Sequence, residues 1–327
     1  MKKVIYSVLF ILSVSVFISC NNKPETAEDY TQYVDPMIGT AHCRWFHVAP
    51  GCSPFGMAKP GPSTDGHLGN LSGWEAVGYD FRHKSIEGFP NFHEFQVGGI
   101  VFMPTAGELK TIPGHPDSLG TGYCSSFDKK DEILKPGYYS VILKDYNIKA
   151  ELTSTSRVSF HKYTFPAGEN SHILFDIGNK QGESGEVKDA RVTYTSDGKI
   201  EGYVETYPEY VKKYQTGASV KMFFSADIDK KPESFGIFHK TLVEAGKNEA
   251  TGVGAGLYLT FKTADNESIT IKAGLSLTSI ENARLNLETE ARDLSFDKAK
   301  EMAHDNWNSY LSRIKVEGKV TSDKVKF

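Results

Sequence analysis

Two ionisable side chains, His93 and Glu94, lie in the stretch GFPNFHEFQVGGIVFMP, with Phe89, Phe92 and Phe95 around them and Gly98 and Gly99 just beyond. An imidazole and a carboxylate can bind the hydroxyls of a polar ligand, and the phenylalanines supply apolar bulk beside them. The glycine pair lets the backbone turn sharply or approach a ligand closely. Residues 100–103 read as a strand leaving this loop, closed by Pro104, which puts the polar pair at a sheet edge and not in a core. A second set follows a glycine-rich turn over 66–73: Trp74, Glu75, Tyr79 and Asp80. Trp and Tyr offer a flat apolar face with a polar tip, which suits the C–H face and hydroxyl rim of a sugar. The competing reading is plain packing, since such rings fill β-sheet cores far more often than they bind ligands.

The elements that must position these residues are mainly strands. Alternation and β-branched or aromatic content mark strands over 138–143, 149–153, 157–165, 172–177, 191–195, 200–206, 219–225, 236–243, 256–263 and 268–277. Asp197-Gly198 is a short-hairpin signal, and Asp265-Asn266 marks a further turn. Short strands with polar turns and no intervening helix predict an antiparallel β-sandwich over 30–278, with helices only after Ser279. Residues 281–292 are helix-prone, and Ser295 reads as the N-cap of a second helix with Asp297 in its first turn. Phe296, Ala299, Ala303, Trp307, Tyr310, Leu311 and Ile314 recur at helical spacing, so one apolar stripe is expected to pack on the sandwich. Gly318 reads as the end of that helix, and Thr321 or Ser322 as the cap of another.

The ends and the composition set further bounds. Lys2 and Lys3 precede an apolar run over 4–18, the form of a secretory signal. It closes on Phe17-Ile18-Ser19-Cys20, similar to a bacterial lipobox, so Cys20 is the expected lipid-bearing residue, 21–29 a polar tether, and the protein exported and anchored in a bacterial envelope. Three other cysteines, Cys43, Cys52 and Cys124, permit at most one internal disulfide, and Cys43 and Cys52 are near enough in sequence to pair. The formal net charge of −4 with no basic block argues against a nucleic-acid partner. His93-Glu94 cannot be half of a helical zinc-protease motif, because Val97 stands where the second histidine is needed.

The motifs YVDPMIGT (33–40), PFGM (54–57), Gly78-Tyr79-Asp80, Gly88-Phe89 with His93, Met103-Pro104, and the run KPGYYSVILKDYNIKAELTSTSRVSFHKYTFP (135–166) occur in one order. In that order they resemble glycoside hydrolase family 92, from Tyr33 to the last residue. The resemblance implies an exo-acting, calcium-dependent α-mannosidase that inverts anomeric configuration, acts on glycoprotein N-glycans, and packs its N-terminal β-sandwich on an (α/α) barrel. At the key loop the family commonly has Ser-His-Thr-His-Leu-Ser-Gly, and this chain has Pro90-Asn91-Phe92-His93-Glu94-Phe95-Gln96, keeping only the second histidine. An inverting glycosidase needs two carboxyls roughly 6.5–9.5 Å apart. In the family these and most calcium ligands come from the barrel, so no catalytic or metal-binding residue is assigned to this chain, and alone it is expected to be inactive. What the resemblance leaves to it is the sugar subsite: Trp74 as a stacking wall, with Tyr79, Asp80, His93 and Glu94 binding hydroxyls, all on one exposed face. The alternative is a non-catalytic carbohydrate-binding β-sandwich lipoprotein.

Overall fold

The computed structural model describes residues 28–40, 49–64, 79–94, 97–114, 120–179, 185–318 and 320–326. Among the described residues seventeen strands run in chain order: β1 (Ser85–Ile86), β2 (Phe89–Glu94), β3 (Val97–Ala106), β4 (Ser125–Ser126), β5 (Ile133–Lys135), β6 (Tyr138–Leu143), β7 (Ile148–Ser154), β8 (Val158–Phe165), β9 (Gly168–Asp176), β10 (Glu186–Tyr194), β11 (Ile200–Tyr207), β12 (Val220–Ile228), β13 (Ser234–His239), β14 (Leu242–Ala245), β15 (Glu249–Thr251), β16 (Ala255–Thr263) and β17 (Glu267–Ser276). Helix α1 (Glu209–Tyr214) lies between β11 and β12, and α2 (Ile280–Ala291), α3 (Phe296–Leu311) and α4 (Thr321–Lys326) follow the last strand. A nine-stranded sheet, β15-β10-β11-β12-β17-β8-β7-β6-β5, faces a six-stranded one, β14-β13-β16-β9-β3-β2, and both are antiparallel throughout.

The expected antiparallel sandwich is therefore present, with local corrections. The run 236–243 is not one strand: Lys240 takes a left-handed backbone (φ 55°), which turns the chain between β13 and β14. Helix α1 interrupts the strand series, entered through Pro208, whose fixed φ suits a helix start. The segment before Val97 is a strand, β2, and not a loop. Asp197-Gly198 does close a hairpin, with the Gly198 amide donating to Thr195 O at 3.0 Å and Gly198 at φ 85°. Asp265-Asn266 is also a turn, with the Glu267 amide donating to Ala264 O at 3.2 Å, and it carries the chain from β16 in the smaller sheet to β17 in the larger.

Apolar side chains from both sheets form one core, including Phe89, Phe102, Tyr139, Tyr163, Phe175 and Phe224. One polar bridge crosses it. His161 on β8 is fully buried and places Nε2 2.8 Å from Asn91 Oδ1 on β2 and Nδ1 2.8 Å from the Tyr163 hydroxyl. Asn91 in turn donates Nδ2–H to Ile100 O on β3 at 2.6 Å. Every group is satisfied if His161 is neutral with its proton on Nε2, accepting from Tyr163 at Nδ1. Burial holds this imidazole down at about 3, from an ordinary 6.5.

The helical tail docks on the outer face of the larger sheet. Ser279 and Ser295 cap α2 and α3, accepting from the Asn282 and Lys298 amides. Phe296 and Ala299 pack with Leu287, Ala291, Tyr138, Val158 and Phe160, which gives the first part of the apolar stripe its expected partner. A Cβ on Gly137 (φ 83°) would come 2.8 Å from Ala303 Cβ, so the absent side chain lets α3 approach. Arg284 on α2 makes a two-pronged salt bridge to the buried Glu201 on β11. Helix α3 stops at Leu311, short of Gly318, and its far half also holds the N-terminal segment: Asn308 Oδ1 accepts from the Tyr30 amide at 2.8 Å, and Trp307 donates to Cys52 O at 2.7 Å. Helix α4 begins at Thr321, where a further helix was expected.

The buried imidazole generates a pH dependence. Below pH 6.5 the unfolded chain binds a proton that the folded chain refuses until about pH 3, so stability must fall as pH drops through that window. At about 1.4 kcal/mol per pH unit, urea titrations should show a loss of about 2–3 kcal/mol between pH 7.5 and 4.5 from this group. His161→Gln, though less stable at pH 7.5, should lose that much less over the same range; an unchanged loss would place the acid sensitivity elsewhere.

Candidate functional site

The β2–β3 hairpin carries the first candidate pair. His93 faces Gly98 and Glu94 faces Val97 in the last two pairs before the turn. The hairpin leans on the other sheet: a Cβ on Gly99 would meet Met222 Cε at 3.0 Å and Val204 Cγ1 at 3.2 Å. On its free edge β2 is flanked by the segment 58–63, where Lys59 and Gly61 amides donate to Asn91 O and Pro90 O at 2.9 and 3.3 Å, and Ser63 bridges Gly88. With core behind it and a chain segment beside it, His93 is 0 % exposed. The expectation of an exposed imidazole is thereby corrected; the reason is that β2 is a complete strand with its edge covered, which aromatic content in a supposed loop concealed.

The second candidates form a different cluster. Tyr79 is buried, and its hydroxyl donates to Glu132 Oε2 at 3.0 Å while accepting from Lys129 Nζ at 2.9 Å. Tyr139 donates to Glu132 Oε1 at 2.7 Å, so one carboxylate gathers two phenols and an ammonium. Lys129 Nζ also lies over three rings, Tyr79, Phe81 and Phe127, 4.4–5.1 Å from their centroids. Burial first, and then the Glu132 charge, push the Tyr79 phenol far above its ordinary value, so it stays a neutral donor. Burial lowers Lys129, partly offset by Glu132. Asp80, also buried, accepts from the Arg82 amide at 2.8 Å and from its Nε at 2.9 Å. Burial raises this carboxyl, but the Arg82 hydrogen bonds more than reverse that and hold it down at about 2.

These two clusters do not converge. The Asp80 amide donates to Thr64 Oγ1 at 3.0 Å, next to the Ser63–Gly88 bridge at the start of β2. His93 stands five residues further along, roughly 16 Å of extended strand. Trp74, the proposed stacking wall, and Glu75 lie outside the described residues, as do Phe95, Gln96, Cys20 and Cys43, so the Cys43–Cys52 pairing lies there too. Burial pushes the Cys52 and Cys124 thiols up to about 11, a range in which neither is a ready nucleophile at neutral pH. Among the described residues no group of three or more His, Cys, Asp and Glu is placed to hold a metal ion. Sequence reasoning missed Glu132 and Lys129, which order the Tyr79–Asp80 segment; the charged tract KKDE offers no periodic signal to single them out.

The architecture is a large antiparallel sandwich with a helical tail laid on the outer face of its larger sheet. Residues 33–276 match the glycosyl hydrolase family 92 N-terminal domain and residues 282–327 match the glycosyl hydrolase family 92 catalytic domain, so the chain belongs to glycosyl hydrolase family 92. Among solved structures, it resembles a family GH92 α-mannosidase of Bacteroides thetaiotaomicron, determined with mannoimidazole, at 26 % identity and a TM-score of 0.80 over 92 % of this chain. An inverting mannosidase of the same organism shares the fold at 21 % identity and a TM-score of 0.75 over 93 % of this chain. The GH92 glycosyl hydrolase ccman5 matches at 26 % identity and a TM-score of 0.72 over 89 % of it. The chain spans 39 %, 39 % and 38 % of the lengths of these three. A comparison with curated proteins gave no match.

The Glu132 cluster yields a stability prediction. Glu132→Ala leaves two buried phenols and an ammonium without their acceptor and should cost about 2–4 kcal/mol in urea unfolding, with Glu132→Gln costing less. Equal stability of the alanine variant would show that solvent already satisfies these groups.

Proposed function

We propose that this chain is the N-terminal sandwich and first helices of an exo-acting, inverting α-mannosidase that trims mannose from glycoprotein N-glycans. The observation that carries the reading is the pair of matches on one chain, the N-terminal domain up to Ser276 and the catalytic domain from Asn282 onward. In this reading the general acid and base lie in the helical catalytic domain, and the sandwich completes the sugar subsite. Trp74 would wall it, and Glu94, the last residue of β2, would bind hydroxyls. His93, enclosed within the same hairpin, acts by holding its shape; Tyr79 and Asp80 order the segment next to the start of β2 through Glu132 and Arg82. Calcium would belong to the complete enzyme, with most of its ligands in the helical domain. Export and anchoring through Cys20 complete the proposal, supported by the lysine-led apolar run and the residues before that cysteine.

The test is enzymatic. The purified 327-residue chain should release no mannose from an α-mannobiose, because the paired carboxyls an inverting hydrolysis requires are elsewhere. The polypeptide joined to a complete family helical domain should release it, lose the activity on chelation of calcium, and drop in turnover tens of times on His93→Ala. Calcium-dependent mannose release by the 327-residue chain itself would show that the catalytic groups are misplaced in this account. Full activity of the His93→Ala enzyme with lowered thermal stability would reduce His93 to a packing residue.

A further inference from the structure

We infer that His304 is a pH latch, holding the N-terminal segment on helix α3 while its imidazole is protonated and loosening it when the proton leaves. The ground is which atoms around the ring can donate. Asp29 caps a short 3-10 turn over Tyr30–Tyr33, its Oδ1 accepting the Thr31 amide at 3.0 Å and the Thr31 hydroxyl at 2.6 Å. With that hydroxyl proton spent on Asp29, Thr31 Oγ1 can only accept from its other neighbour, His304 Nε2, at 3.2 Å. The same nitrogen lies 3.3 Å from Asp29 Oδ2, a second acceptor, so Nε2 must carry a hydrogen. Across the ring, Nδ1 lies 3.2 Å from Asp305 Oδ1, again a carboxylate oxygen, and needs a hydrogen too. A neutral imidazole has one N–H and only the imidazolium has two. The contact is therefore complete in one charge state alone, and loss of the proton sets a ring lone pair against a carboxylate.

The ring joins two parts of the chain that lie far apart in sequence. Next to it the Tyr30 amide donates to Asn308 Oδ1 at 2.8 Å, and Asn308 Nδ2 donates to Glu28 O at 3.4 Å, so the segment lies along one turn of α3. The other charges nearby are engaged elsewhere. Glu28 accepts from the Tyr33 hydroxyl at 2.7 Å and lies 3.4 Å from Lys324 Nζ on α4. On α3 itself Lys300 sits over the Tyr138 ring and Glu301 pairs with Lys298. From the sheet beneath, Glu151 is held by Tyr138, Lys149 and Lys162, and Lys162 also reaches Asp297. Among the described residues the charged groups in contact with the ring are thus Asp29 and Asp305, both negative. Partial burial lowers the imidazole, but the hydrogen bonds to Asp305 and Asp29 more than reverse that and leave it above its ordinary 6.5. A raised value means that the proton's contribution to docking is complete below pH 6.5 and is lost as pH rises through the folded value. The side chain is 42 % exposed, so solvent can deliver and remove the proton while the fold stays intact. Under the proposed anchoring at Cys20 the latch would set how firmly the folded body is held at the root of its tether; the latch itself requires neither that anchor nor mannosidase activity.

Hydrogen exchange at the Tyr30 amide, corrected for the intrinsic pH dependence of exchange, reads the latch directly, and the NMR shift of the His304 ring proton gives its titration in the same sample. Protection of Tyr30 should fall about three- to ten-fold between pH 5.5 and pH 8.5, the size expected of two exposed ion pairs, and should follow the His304 titration curve. His304→Gln should give low protection at both pH values. Asp305→Asn offers the ring an amide that suits either charge state, so it should bring the His304 titration down and shrink the fall in protection. Constant protection of Tyr30 while His304 titrates overturns the inference. A fall of the same size in the His304→Gln chain does so as well, because the titrating group would then lie elsewhere, and an Asp305→Asn chain identical to the parent in both readouts would remove the paired-carboxylate basis of the latch.

Discussion

The hydrogen-bonded bridge from Asn91 through His161 to Tyr163 is the constraint on which the placement of the candidate site depends. It is a point where the edge hairpin of the smaller sheet is tied to an inner strand of the larger one through a largely apolar core. Non-directional apolar burial would let β2 and β3 slide on the facing sheet, whereas a buried neutral imidazole with one donor and one acceptor accepts a single register. Asn91 extends the constraint to β3 through Ile100 O. With the strand fixed at Asn91, the pairs His93–Gly98 and Glu94–Val97 are fixed as well, and Gly99 packs closely against Met222 and Val204. The same bridge makes the fold sensitive to acid, because protonating His161 in place would break the bond it accepts.

A second layer of organisation ties the chain's ends together. Helix α3 lies on the larger sheet by Phe296, Ala299 and Ala303 and then passes beyond it to grip the segment around Tyr30 through Asn308 and His304. The Glu201–Arg284 pair fixes α2 and thereby the angle at which the helices leave the sandwich. Sandwich, N-terminal segment and helices are consequently held together at one end.

Much of this was legible in residue pattern. Strand β6 falls where alternation places it, the Ser279 and Ser295 caps open their helices, and the family motifs match over 33–276. What could not be read is where a side chain looks. Phe89, Phe92 and the glycines suggested a loop, but in β2 the phenylalanines face a core, and the glycines serve close packing of the next strand and not a turn. Lys240 in a left-handed conformation breaks a run whose composition is all strand. Tyr79 and Asp80 read in the sequence as groups that bind sugar hydroxyls, yet Tyr79 is taken up by Glu132, from a segment with no periodicity to connect them, and Asp80 by Arg82 two residues on. Exposure was the wrong inference there, since a buried phenol or carboxylate with good partners carries the same sequence signature as one awaiting a ligand.

The proposed function requires the sandwich to contribute to a mannose-binding site beside the β2–β3 hairpin. A crystal structure of the polypeptide carrying the complete helical domain, bound to an α-mannoside mimic, tests it most directly. The sugar should lie at the hairpin turn, within hydrogen-bonding reach of Glu94 and against Trp74, with His93 enclosed behind it. A sugar bound wholly among helices, with no sandwich residue in contact, would contradict the claim and leave the N-terminal domain a scaffold.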